Sequence, residues 1–70
     1  MDIKIFKELK GKKISILING YKGRESYVGR LEKVKDNCVF MMTDLDGAQD
    51  FEGIWVNNDI ILSVWVYKEI

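Results

Sequence analysis

The fold turns on residues 16–37, "ILINGYKGRESYVGRLEKVKDN". Apolar residues run up to an Asn19-Gly20 pair, Gly23 follows three residues on, and Gly29 interrupts the returning run. Just upstream, "KKISILI" alternates, with Ile14, Ile16 and Ile18 on one face and Ser15 on the other, the period-two pattern of a strand. Asn19-Gly20 supplies two residues that tolerate positive φ, as a tight hairpin requires. Gly23 and its charged neighbours Lys22, Arg24 and Glu25 predict a connection longer than two residues. "SYVGRLEKVK" then carries the chain back, with Gly29 as a bend or bulge that lets a sheet curl. This is a curved antiparallel hairpin, and its loop is either a simple reversal or part of a binding surface.

On the N-terminal side, "DIKIFKELKG" places Ile3, Ile5, Phe6 and Leu9 at spacings that fit one helix face. Asp2 fits an N-cap, and Gly11 lies where a C-terminal cap belongs, after Lys7 and Lys10. A helix this short is unstable alone, so its apolar stripe must pack on something. "IKIF" by itself also fits an alternating strand. On the C-terminal side, Asp36-Asn37 is a second turn pair, and "CVFMMT" is a strand apolar on both faces. "DLDGAQD" is a polar connection, "FEGIWV" a strand, "NND" a very short turn, and "IILSVWVY" a last strand, again apolar on both faces. The expectation is one domain over 1–70: a helix within 1–10, then five short antiparallel strands in 11–70. Closing them into a small barrel buries both faces and removes the edges; an open meander capped by the helix is the alternative.

Seventy residues make a thin core, and such domains need a staple. With a single cysteine, Cys38, and no histidine, neither an internal disulfide nor a Cys/His zinc site is available, which leaves oligomerisation. No secretory segment is visible, and the longest apolar run is too short to cross a bilayer, so a cytoplasmic setting is expected. The net charge is zero but uneven. Residues 1–35 hold ten Lys/Arg against four Asp/Glu, a net +6, and residues 36–70 hold one against seven, a net −6. That asymmetry fits a basic face for a polyanion, internal neutralisation, or charge matching between copies.

Catalysis is not expected. There is no histidine for general-base work, Ser15, Ser26 and Ser63 have no identifiable base, and Cys38 opens an apolar strand beside Asp36, surroundings that do not activate a nucleophile. No cofactor motif is present. The acidic run 44–52, with Asp44, Asp46, Asp50 and Glu52, offers oxygens for a hard cation, but its glycine is misplaced for a calcium loop and a structural loop fits better. Tyr21, Tyr27, Phe51, Trp55, Trp65 and Tyr67 would suit an aromatic cage, or more simply the core and a subunit contact.

The order of a helix and five strands, together with "GKKISILINGYKG", "GRLEKVKDNCVFMM" and "WVNNDIILSV", resembles the Sm-like family, its Hfq-like members included. The second stretch matches the glycine, apolar residue, aspartate and apolar strand of the first Sm motif; the third lies where the second motif does. The resemblance implies a small SH3-like five-stranded antiparallel barrel. It implies further that the fourth strand of one copy pairs with the fifth of the next, giving a ring of five to seven copies. Family members hold single-stranded RNA bases in the pore with residues of two turns. The matching positions here are Asp36, Asn37 and Cys38 in the first turn and Asn57 and Asn58 in the second. Asn37 keeps an amide for a base edge, but Cys38 replaces an aromatic, and Asn57-Asn58 with Asp59 replace a cation-bearing pair. The eukaryotic-type asparagine position is Phe40. The implied RNA binding is therefore weak or altered in its base recognition. Phosphate contacts would fall to Lys7, Lys10, Lys12 and Lys13, with Lys4 beside them, and to Lys22 and Arg24 in the first loop, or those side chains form a solvated face. The rival expectation is an oligomeric module of SH3-like type that binds another protein and no RNA.

Overall fold

The computed structural model describes residues 1–43 and 53–68. Helix α1 (Ile3–Glu8) is followed by β1 (Lys13–Gly20), β2 (Gly23–Lys35), β3 (Cys38–Thr43), β4 (Ile54–Asn57) and β5 (Ile61–Val66), with a single 3-10 turn, Asn58–Ile60, between the last two strands. Asp2 caps α1 by accepting the Lys4 backbone N–H, and Gly11 adopts φ 87, which ends the helical segment. Phe6 is fully buried, with Ile3 and Leu9 packed around it at three-residue spacing. Ile5, expected on the same stripe, faces solvent instead, because it lies about 100° around the helix from Phe6.

All strands are antiparallel and form one sheet in the order β4-β3-β2-β1-β5. Its inner face carries Ile14, Ile16 and Ile18 from β1, Leu31 from β2, Val39 and Met41 from β3, Val56 from β4 and Ile61 from β5, and Phe6 closes that core. The protein is thus mainly β, with one short N-terminal helix. The expected barrel does not close: among the described residues no ladder joins β4 to β5. The sheet is nevertheless strongly curled. Asn57 and Ile61 sit on opposite edge strands yet are four residues apart, a reach of at most about 14 Å. Four strand spacings in a flat sheet would need about 19 Å.

The first hairpin corrects the sequence expectation. Gly20 pairs with Gly23, so the loop is two residues, Tyr21-Lys22, and Asn19 belongs to the ladder opposite Arg24. The left-handed residue is Gly23 at φ 114, which places the turn two positions later than Asn19-Gly20 suggested. The second turn is as read: Lys35 pairs with Cys38 across Asp36-Asn37, and Asp36 takes φ 54, which aspartate tolerates. The bulge expected at Gly29 lies between Leu31 and Lys33, leaving Glu32 unpaired. Gly29 has a different duty. A β-carbon there would lie 2.2 Å from the Met42 carbonyl oxygen, so only a glycine lets β2 and β3 come together at the bend.

Two strands expected to be buried on both faces are not. In β3, Phe40 is half-buried and Met42 exposed; in β5, Leu62, Trp65 and Val66 are exposed. Helix α1 packs on β2 and leaves that apolar surface of β5 uncovered. No helix among the described residues is long and apolar enough to cross a membrane. The acidic run 44–52 and its cation reading fall outside the described residues.

Candidate nucleic-acid interface

The two turns singled out by sequence meet at one corner of the sheet. The pairing of Cys38 with Asn57 brings the β2–β3 turn beside the end of β4. The Asn58 backbone N–H then donates to the Asn37 carbonyl at 2.8 Å, tying the 3-10 turn to the first turn. Asn37 Nδ2 donates to Asp59 Oδ1 at 2.8 Å and, more weakly, to Asn57 Oδ1 at 3.4 Å. Asn57 Oδ1 also accepts the Asp59 backbone N–H at 2.8 Å, the side-chain cap that starts the 3-10 turn. Asn58 is buried, and its Nδ2 donates to the Met1 carbonyl. Cys38 is half-buried and free, on the outer face between Lys35 and Asn57.

Asp36, Asn37, Cys38, Asn57 and Asn58 are therefore brought together, but their chemistry is largely turned inward. Asn58 serves the fold: it anchors the N-terminus and has no exposed amide to offer a ligand. Asn37 spends its donors on Asp59 and Asn57. The charged side chains within the two turns are the carboxylates of Asp36 and Asp59, with no cation to grip phosphate. What remains is a small exposed amide surface on Asn37 and Asn57, suited to hydrogen-bonding a base edge and unsuited to holding a backbone.

The cations lie elsewhere. Lys4, Lys7, Lys10, Lys12 and Lys13 are all exposed in and just after α1, and Lys22 and Arg24 are exposed at the first hairpin. Lys13 is engaged, its Nζ standing 5.1 Å from the Tyr67 ring centre. An open groove of about 390 Å³ beside it is lined by Lys13, Gly29, Arg30, Glu32, Met42 and Thr43.

Sequence reading missed one surface. Strand register puts Lys33, Phe40 and Trp55 side by side across β2, β3 and β4 on the outer face. The Phe40 and Trp55 ring centres are 5.0 Å apart at 46°, and Lys33 Nζ stands 5.9 Å from the Phe40 centre. Alternation alone could have put these three side chains outward, but only the bulge at Glu32 aligns Lys33 with Phe40. Tyr27, on β2 opposite Ile16, belongs to neither surface. Tyr27 donates to Glu25 Oε2 at 3.1 Å; that hydrogen bond, then burial, then the Glu25 charge hold its phenol above its ordinary value.

No protein-family model, curated protein or solved structure matches the chain.

Proposed function

We propose that this chain is an Sm-like module that assembles with copies of itself into a ring of five to seven and binds single-stranded RNA with altered base recognition. The observation that carries assembly is the pair of free edges. Among the described residues the strand order leaves β4 and β5 each with one unpaired side. Exposed apolar residues sit on both: Trp55 on β4, and Leu62, Trp65 and Val66 on β5. Edges of this kind are templates for pairing with another chain. Because β4 and β5 lie at opposite ends of one sheet, pairing one edge with the other on a neighbour is heterologous, and a curled sheet lets such pairing close into a ring. Burial of Leu62, Trp65 and Val66 against a neighbour supplies the staple that a thin core needs.

The RNA part of the reading rests on the meeting of Asp36-Asn37 with Asn57-Asn58 at one corner, which is where the resemblance expects base contacts. Two carboxylates and no cation within those turns make the grip weak. That same observation favours the second reading, a ring that has given up RNA and binds another protein. Native mass spectrometry with and without short oligo-U and oligo-A tests both. A ring that retains an oligonucleotide supports the proposal. A ring that retains none moves the function to a protein partner. A monomer at micromolar concentration refutes the assembly itself.

A further inference from the structure

We propose that the outer face of β2, β3 and β4 is a stacking platform for single-stranded nucleic acid, centred on the row Lys33–Phe40–Trp55. The inference rests on the RNA reading above and moves the principal contact from the turn corner to the sheet face. Trp55 leaves 51% of its surface in water although the strand around it packs well: Val56, next in sequence, is buried. Its ring is held by the backbone of an ordered strand and by Phe40, 5.0 Å away, so little freedom is lost when a flat partner settles on it. Bases are such partners, since each presents a π-face to an aromatic side chain.

Charge on the face selects the same occupant. Lys33 lies over Phe40, and Arg30 and Lys35 are exposed in the neighbouring rows, opposite Met42 and Cys38 respectively. Among the described residues of these strands the carboxylates are Glu32, half-buried in the bulge, and Glu25, which pairs with the core residue Ile18 near the far end of β2 and does not belong to this face. Cations interleaved with rings on a sheet surface suit a strand that offers bases and phosphates alternately. An apolar protein partner would have to strip water from three cations to reach the rings. Pairing at the β4 edge extends this face sideways and leaves it open, so platform and ring coexist.

The test uses a Trp65→Phe protein, in which Trp55 is the single tryptophan. Titration with short oligo-U and oligo-A at low salt should quench Trp55 emission saturably. In the parent background, read by the anisotropy of a labelled oligonucleotide, Trp55→Ala, with fold and assembly checked by circular dichroism and native mass, should weaken binding about ten-fold, and Trp55→Tyr should restore most of it. Lys33→Glu combined with Lys35→Glu should weaken binding and flatten its salt dependence by about 0.7 in logarithmic slope for each lost contact. The platform is overturned if a folded Trp55→Ala protein binds as before. Losses confined to Asn37→Ala/Asn57→Ala would return RNA to the turn corner, and losses confined to Lys7→Glu/Lys10→Glu/Lys12→Glu would move it to the helix. Both of those results sink the platform and keep the RNA function. Failure to bind any oligonucleotide sinks both while leaving the ring to be judged by mass alone.

Discussion

Gly29→Ala is the substitution whose effect follows most directly from the geometry. The added β-carbon would sit 2.2 Å from the Met42 carbonyl oxygen, 2.7 Å from the Thr43 α-carbon and 2.8 Å from the Met42 carbonyl carbon. A comfortable carbon–oxygen contact is about 3.3 Å, so β3 must recede by about 1 Å. The obstacle is backbone and has no rotamer to change. Overpacking of this kind costs about 1–3 kcal/mol. Each ladder hydrogen bond loosened between β2 and β3 adds about 1 kcal/mol. Stiffening the unfolded chain offsets only about 0.4–1 kcal/mol. A net loss of about 3 kcal/mol is expected, against a total of about 3–10 kcal/mol for a domain of this length. Urea unfolding followed by tryptophan emission measures it, at two protein concentrations because self-association adds to apparent stability. Gly20→Ala is the control: its nearest obstacle, at 3.1 Å, is the carboxylate end of the exposed Glu25, a flexible side chain that can swing aside at the cost of no more than its exposed hydrogen bond from Tyr27. Loss of less than about 0.5 kcal/mol at Gly29, within the range of ordinary surface substitutions, would refute the reasoning, and so would an equal loss at Gly20.

Two further outcomes follow from other parts of the molecule. Leu62→Lys with Trp65→Lys places charges on the exposed β5 edge and should shift native mass spectra toward monomer while circular dichroism stays unchanged; an intact oligomer would remove that edge from the contact. Tyr27 has a folded-state pKa above its ordinary 10.0, so its stabilising contribution is complete below that value and is lost as pH rises through the folded one. Melting temperature should therefore fall less steeply with alkaline pH in Tyr27→Phe than in the parent, and parallel curves would rule the Glu25 hydrogen bond out as a contributor.

What could be read in the sequence was what short-range chemistry decides. Asp2 and Gly11 bracket the helix as expected, Asp36-Asn37 turns the chain, and "CVFMMT" matches β3 from Cys38 to Thr43 residue for residue. The first loop was misplaced because three glycines in the stretch compete for it, and only the ladder decides that Gly20 pairs with Gly23. Burial of β3 and β5 on both faces was overestimated because apolar composition does not reveal which face has a cover. Phe40 and Trp55 become neighbours through a pairing between strands separated by a long connection, which no local pattern encodes. At the turn corner, residue types were legible, whereas the turning inward of Asn37 and Asn58 depends on their hydrogen bonds to residues 20 or more positions away.

The sheet order also has a temporal consequence. β1 meets β2 across two residues, so that hairpin forms early; its other side is filled by β5, with Ile18 opposite Ile61 and Ile14 opposite Val66. Contacts of such long sequence separation form late because a large loop must close first. Until residues 61–66 arrive, the isoleucine-rich β1 stands as an open flank, and any sticky strand nearby competes for it. Folding therefore passes through an interval in which β1 is paired on one side only, and that interval ends when β5 takes its place.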